Sequence, residues 1–184
     1  MRIAILVWRS LYWDQRSLST TGEWFFDGPI LPVEFCRISG GNRLTLVIAP
    51  DFDNVTTLYA ISGLADLTSA IENLKIREGA PTNGNIGFIN LRNGENHVRQ
   101  TNQFLLQILR DWNETKGFDA IIWSDFAPKF SDMINRPFTL QNAIEFIAEL
   151  PQNEQQAALQ YIRNAPDQIT TRFRLAITDH FSNN

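Results

Sequence analysis

The chain has 184 residues, of which 43% are hydrophobic and 20% are charged, and its formal net charge is −4. This length fits one domain that is large enough to bury a hydrophobic core. Because Lys and Arg form no cluster, the sequence argues against a nucleic-acid-binding protein. The longest apolar stretch, residues 3–8, is too short to cross a bilayer, and no signal-peptide pattern opens the chain. We therefore expect a cytoplasmic protein that does not bind membranes.

The cysteine and histidine content argues against disulfide and metal chemistry. Cys36 is the single cysteine, so it forms no internal disulfide, and its place in a strand-like stretch indicates a buried, unreactive thiol. The two histidines, His97 and His180, belong to no cluster with metal-ligand spacing. No glycine-rich phosphate loop is present either. We expect neither a metal nor a cofactor.

The N-terminal part of the chain is predicted to form strands and one long loop. Residues 2–8 are an apolar run typical of a buried strand. Residues 12–29 are rich in Ser, Thr, Gly and aromatic residues, and a loop of this length is often functional. Residues 31–39 and 43–48 read as two strands, and the Gly-Gly-Asn turn at 40–42 between them predicts a hairpin.

Helical patterns begin after a further strand at residues 56–61. In residues 64–77 apolar side chains recur every three or four positions, which predicts an amphipathic helix that ends at Gly79 and Pro81. The next predicted elements are a strand at 85–91, a long helix at 97–116 and a buried strand at 118–123.

The last third of the chain is predicted to be helical. Thr139 caps a helix that Pro151 ends, and a second helix follows at residues 153–164. Residues 169–181 are ambiguous between helix and strand, and we assign them as helix. A β-rich first half followed by an α-rich second half predicts the α+β class, with a mixed or barrel-like sheet.

Glu78 is the first candidate for chemistry. It lies at the C-terminal end of the predicted helix, where the macrodipole favours cations such as Lys75 and Arg77 over a carboxylate. A carboxylate in that position suits a general acid or base. The alternative is a solvated glutamate whose charge Arg77 screens.

The turn after the first strand is the second candidate, and it consists of Trp8, Arg9, Ser10 and Leu11. A strand that ends in a tight turn presents backbone N–H groups that bind a carboxylate or an oxyanion, and the Ser10 hydroxyl adds a donor. The alternative is an ordinary turn that packs on the core. The following loop contains aromatic residues that suit core packing, a lid or a substrate wall: Trp13, Trp24, Phe25 and Phe26.

Four further polar residues belong to predicted strands or their ends. Glu34 and Arg37 lie inside a strand, which indicates a sheet edge or an internal partner for each charge. Ser124 and Asp125 follow the strand at 118–123. The C-terminal ends of strands often border ligand sites, although Asp there also begins turns.

Three segments together resemble the γ-glutamylcyclotransferase superfamily, and they are most similar to its glutathione-specific branch. Residues 5–13, I-L-V-W-R-S-L-Y-W, are similar to the Y-G-S-L loop that follows the family's first strand. Residues 31–48 resemble the next strands of that family. Residues 74–88, with an R-E pair and a later G-F pair, resemble the segment that holds its catalytic glutamate. The resemblance covers residues 1–92, about half of the chain.

The resemblance implies an activity and roles for the candidate residues. Glu78 matches the catalytic acid and base, and Trp8, Ser10 and Leu11 match positions that hold the γ-glutamyl head group. The implied reaction closes a γ-glutamyl group of a small-molecule substrate to 5-oxoproline and releases an amine, without a metal or cofactor. The implied fold is a small mixed β-barrel with inserted helices over residues 1–125, and a helical C-terminal extension over 126–184 completes a single domain.

The head-group loop departs from the family at two positions. Arg9 stands where the family has glycine, so its side chain would either block the pocket or bind a substrate carboxylate bidentately. Trp8 replaces the usual tyrosine. Two alternatives to an enzyme follow. One is a catalytically inactive binding or regulatory module with the same fold, and the other is a structural protein whose aromatic loop contacts a partner.

Overall fold

The structure is a computed structural model, and it describes residues 1–182. These residues form two β-sheets and six α-helices, which confirms the α+β class. The strands are β1 (Ile3–Val7), β2 (Ile30–Ser39), β3 (Arg43–Ile48), β4 (Asn54–Thr56), β5 (Leu58–Ile61), β6 (Ile86–Asn90), β7 (Asn96–His97) and β8 (Ala120–Ser124). The helices are α1 (Leu67–Glu78), α2 (Leu105–Asn113), α3 (Phe130–Ile134), α4 (Leu140–Ala148), α5 (Gln152–Arg163) and α6 (Arg172–Ser182).

The chain divides into two compact units, and each is built from two separate segments. Unit 1 consists of Met1–Leu31 and Thr56–Phe126. Of the described residues, unit 2 contains Pro32–Val55 and residues 127–182. Each unit therefore depends on contacts between segments that are far apart in sequence.

Unit 1 is built around a five-stranded sheet with the strand order β5-β1-β8-β6-β7. The central strand β1 is buried along its whole length, as its apolar sequence predicts. It pairs with β5 in antiparallel fashion and with β8 in parallel fashion. β6 continues the sheet beyond β8, and Gly87 on β6 lies opposite Trp123 on β8. A side chain at Gly87 would overlap the Trp123 ring, because an added Cβ would lie 2.2 Å from that indole.

Helix α1 packs against β6 and β8 of the same sheet. It begins three residues later than the apolar periodicity predicts, because the Asp66 carboxylate accepts the backbone N–H of Ser69 at 2.8 Å and thereby caps the helix. It ends as predicted, with Gly79 in the left-handed conformation (φ 60°). Glu78 is the last residue of the helix.

Unit 2 combines the hairpin of β2 and β3 with the C-terminal helices. The predicted hairpin is confirmed, with antiparallel pairing on both sides of the turn. Both charges inside β2 have internal partners, since Glu34 accepts the Thr171 hydroxyl and Arg37 donates to the carbonyl of Ala127. Helix α5 packs on β3, and α4, α5 and α6 pack on one another. The helical assignment of the ambiguous stretch before the C-terminus is confirmed as α6.

The barrel-like sheet expected from the sequence is not the observed arrangement. Within residues 1–182 the strands form two open sheets, and neither sheet closes on itself. The two halves of residues 54–61 join different sheets, because β4 belongs to the three-stranded sheet β3-β2-β4 and β5 pairs with β1. Among these described residues no helix is both long and apolar enough to span a membrane.

The helix predicted at residues 97–116 is shorter than expected. His97 pairs with Phe88 as part of β7, and the backbone N–H of Arg99 donates to the Asp125 carboxylate at 2.7 Å. These two contacts keep residues 97–99 out of the helix, and a single 3₁₀ turn at Gln100–Asn102 precedes α2. The apolar periodicity correctly predicted a helix in this region, but tertiary hydrogen bonds determine the residue at which the helix starts.

Candidate functional site

The topology of unit 1 brings three chain segments to one edge of the five-stranded sheet. β1 and β8 are parallel neighbours, so the turn after β1 and the end of β8 lie at the same edge. β5 runs antiparallel to β1 and ends near the start of β1, where Ile61 lies opposite Ala4. Helix α1 then returns along the sheet. Its last residue, Glu78, consequently reaches the turn after β1.

Glu78 is buried at this edge and does not point into bulk solvent. Its side chain is 5% exposed. The Ser124 hydroxyl donates to Oε1 at 2.6 Å. Oε2 lies 3.1 Å from Nη2 of Arg9 and 3.3 Å from Nη1 of Arg77. Glu78 is therefore a neighbour of Arg9 in the turn after β1, and the catalytic role of Glu78 stays a prediction.

Arg77 joins the end of α1 to the turn after β1. It donates to the carbonyl oxygen of Asp14 through Nε at 3.1 Å and also through Nη2, and Nη2 donates to the Ser10 hydroxyl at 3.3 Å. Burial lowers the pKa of Arg77, and the carboxylate of Glu78 opposes that shift. Each of its three guanidinium nitrogens has an acceptor. The hydrogen bonds of Arg77 thus join Glu78 to the turn after β1, and none of its guanidinium nitrogens lacks a partner.

Arg9 is buried beside the same carboxylate but is differently bonded. Its guanidinium carbon lies 4.9 Å from the centre of the Phe126 ring, so that ring covers the guanidinium. Nη2 is within ion-pair distance of Glu78, but its N–H groups are not aligned for a hydrogen bond. Among the described residues, neither Nε nor Nη2 of Arg9 has a hydrogen-bond acceptor.

The other two residues of the turn serve the core. Trp8 and Leu11 are both almost fully buried, and no hydrogen bond or ion pair within residues 1–182 joins either side chain to Glu78. The Trp8 indole N–H has no acceptor in that part of the chain. The turn itself is closed by backbone bonds from Tyr12 to Arg9 and from Asp14 to Ser10. Trp8 and Leu11 therefore position the turn, while Arg9 faces Glu78 and Ser10 contacts Arg77.

The sequence drew attention to Ser124 and Asp125 without assigning them partners. Ser124 holds Glu78, as described above. Asp125 instead stabilises the local structure. Its carboxylate accepts hydrogen bonds from the backbone N–H of Arg99 and, at 2.6 Å, from the side-chain amide of Asn102. Its position at a strand end marked Ser124 in the sequence, and its contact with Glu78 depends on the packing of α1 against β8.

The aromatic residues of the long loop differ in how far they are exposed to solvent. Phe25 stacks on Tyr59 with ring centres 4.8 Å apart, which places it against the core. Tyr12 contacts Trp24 and Phe26 edge-on. Of the four aromatic residues proposed as a partner surface, Phe26 is exposed (54%), and Trp13, Trp24 and Phe25 are half-buried.

Unit 2 contains a separate cavity of about 270 Å³ that none of the predicted site residues lines. Its wall includes buried Cys36 and three phenylalanines, Phe52, Phe130 and Phe138. No group of three or more His, Cys, Asp or Glu side chains suited to a metal ion occurs among the described residues.

Comparisons of this chain with protein-family models, with curated proteins and with solved structures found no match.

Proposed function

We propose that this chain is a γ-glutamylcyclotransferase-type enzyme that converts a γ-glutamyl group to 5-oxoproline and releases an amine. The observation that supports this proposal is the buried Glu78 carboxylate beside the turn after β1, held by Ser124 and accompanied by two guanidinium groups. The resemblance of residues 1–92 to that superfamily supplies the reaction type, and a cyclotransferase-like fold for unit 1 is part of the same proposal.

The proposed reaction is intramolecular. The neutral α-amine of the substrate attacks its own γ-carbonyl carbon, so one C–N bond forms as the ring closes. Glu78 accepts the proton that the attacking nitrogen loses and delivers it to the departing amine when the original C–N bond breaks. No water is consumed, and atoms balance between one γ-glutamyl amide and its two products. A well-placed acid and base of this kind contributes about 10²–10⁴-fold to the rate.

The surrounding residues have supporting roles in this scheme. Ser124 and Arg77 hold the Glu78 side chain, which otherwise has the rotational freedom of a long side chain. The Ser10 hydroxyl, half-buried at the turn, is a donor for the developing oxyanion or for the head group. Trp8 and Leu11 anchor the turn in the core. We place the enzyme in the cytoplasm, with a small molecule as its ligand.

One observation favours a second candidate, a binding or regulatory module without turnover. Both oxygens of Glu78 already have partners, and Arg9 stands where the similar family has glycine. In such a module Glu78 is a ligand-binding group that accepts a substrate ammonium without transferring its proton. The two candidates share the same site and differ only in whether product forms.

The test is release of 5-oxoproline from a panel of γ-glutamyl compounds by the wild type and by Glu78→Gln. We expect release by the wild type and a loss of about 10²-fold or more in the variant, because the amide neither accepts nor delivers the proton. Glu72→Gln is the matched control, since Glu72 lies on the same helix and pairs with Lys75. Full activity of Glu78→Gln would refute the catalytic assignment.

A second variant guards against loss of the fold, since Glu78→Gln leaves two buried guanidinium groups without their carboxylate. Ser124→Ala keeps every charge and removes one hydrogen bond to the carboxylate. We expect it to keep its thermal midpoint within a few degrees and to lose activity by about tenfold. No release from any compound by a folded wild type would support the binding module.

A further inference from the structure

The two buried arginines of the site differ in how their N–H groups are satisfied. Arg77 donates to a carbonyl, a hydroxyl and a carboxylate. Arg9 has the ion pair with Glu78 and the Phe126 ring, and its Nε and Nη2 groups have no hydrogen-bond acceptor among the described residues. A buried donor without an acceptor is destabilising, and more so when the group is charged, so these two N–H groups would strongly favour binding of an acceptor.

The chemistry of that edge selects the acceptor. Nε and Nη2 form one side of the planar guanidinium, which matches the two oxygens of a carboxylate in a bidentate arrangement. The site also carries a surplus positive charge, because two guanidinium groups face the single carboxylate of Glu78. An anionic ligand group would satisfy both unmet donors and balance that charge.

We propose that Arg9 is a carboxylate clamp, and that the ligand is therefore an α-amino acid derivative with a free α-carboxylate. Its identity as a γ-glutamyl compound rests on the proposed function. An α-amino acid carries its amine and its carboxylate on one carbon, and Arg9 and Glu78 lie 3.1 Å apart at their nearest atoms. One head group can therefore present its carboxylate to Arg9 and its amine to Glu78. In this arrangement Arg9 is a specificity determinant.

The experiment compares two probes that differ only in the carboxylate, 5-oxoproline and 2-pyrrolidinone. Each is titrated by calorimetry into the wild type, Arg9→Gln, Arg9→Gly and the matched control Arg110→Gln, in which an exposed arginine of α2 is changed. We expect 5-oxoproline to bind the wild type and the control, and to bind both Arg9 variants about tenfold to hundredfold more weakly. The affinity for 2-pyrrolidinone should be weak and the same in all four proteins.

Three results would overturn the clamp. These are equal affinities of the wild type for the two probes, including no binding of either; an unchanged affinity of Arg9→Gln for 5-oxoproline; and tighter binding by Arg9→Gly, which would identify Arg9 as a plug. If Arg9→Gln does not fold, Arg9→Lys replaces it, because lysine keeps the charge but lacks the bidentate edge. If 5-oxoproline binding depends on Arg9 but no substrate is turned over, only the proposed enzymatic activity is refuted. If substrate is turned over but binding does not depend on Arg9, only the clamp is refuted.

Discussion

The buried carboxyl group of Glu34 links the pH of the solution to the stability of unit 2. Its Oε1 atom accepts the Thr171 hydroxyl at 2.7 Å and the backbone N–H of Phe35 at 2.8 Å. Its Oε2 atom has no hydrogen-bond partner in the described part of the chain. Burial is the main cause that raises the pKa of Glu34 to about 7, while these hydrogen bonds lower it. The folded protein therefore favours the neutral form of this group.

The raised pKa of Glu34 predicts that stability falls as the pH rises. The unfolded chain loses the proton near the ordinary glutamate pKa of 4.5, whereas the folded protein keeps it until about 7. The free energy of unfolding should therefore decrease by about 3 kcal/mol between these pH values and stay low above them. Glu34→Gln removes the titration. Urea unfolding at pH 5 and pH 8 measures the effect, and Glu23→Gln, an exposed residue of the loop, is the control.

The three proteins should differ in how their stability depends on pH. The wild type and Glu23→Gln should lose stability from pH 5 to pH 8, and Glu34→Gln should lose about 3 kcal/mol less over the same interval. An identical pH dependence in all three proteins would show that Glu34 titrates normally in the folded state.

At the scale of the element, a side chain of α6 binds the backbone at the C-terminal end of α5. The last carbonyl groups of a helix have no partners within the helix. Arg174 of α6 donates from its two terminal nitrogens to four carbonyl groups at and after that end, those of Arg163, Ala165, Pro166 and Ile169. The sequence predicted that the helix ends at residue 164, but not the arginine that binds the last carbonyl of the helix and three carbonyls beyond it.

Replacing Arg174 should loosen the α5–α6 connection. Arg174→Gln leaves several of these carbonyls unpaired, and since the group is part-buried we expect a loss of about 2 kcal/mol in the free energy of unfolding. Arg163→Gln is the matched control, because Arg163 is an exposed residue of α5 with the same charge. Thermal unfolding followed by circular dichroism measures both. Equal midpoints for the two variants would contradict a role for the Arg174 contacts.

At the scale of the whole molecule, the units are not continuous in sequence. The helices from residue 127 onward belong to the same compact unit as residues 32–55, and α5 packs on β3. Apolar faces of these helices, such as Ile147 and Ile162, are fully buried in the intact chain. A fragment without the hairpin would expose part of that surface to water, and burial of apolar surface is the main stabilising term in folding.

Fragments test the division into a core at 1–125 and an extension at 126–184. We expect the isolated fragment 126–184 to have little helical signal and no cooperative thermal transition, because short helices are marginal in water without tertiary packing. A longer fragment of residues 32–184 contains both segments of unit 2 and should show a stronger helical signal per residue. A cooperative transition in fragment 126–184 alone would instead support an independent C-terminal extension.

Local sequence signals predicted most of the elements and part of the site. Apolar periodicity and caps located α1, α4 and α5, and the turn at residues 40–42 located the hairpin, because these signals act over a few residues. A carboxylate at the end of a helix marked Glu78, and the polar turn after the first strand marked Arg9 and Ser10. The roles of these residues in turnover stay predictions that the experiments above decide.

Only the tertiary structure decided which distant segments meet. The packing of α1 on β8 brings Ser124 to Glu78, and the hydrogen bond that the backbone N–H of Arg99 donates to Asp125 delays the start of α2. The sheets stay open because adjacent stretches of residues 54–61 pair with different strands. Strand partners are chosen by long-range burial and hydrogen bonding, which no local pattern encodes. The sequence by itself therefore determined the elements and the candidate charges, and the tertiary contacts determined their partners.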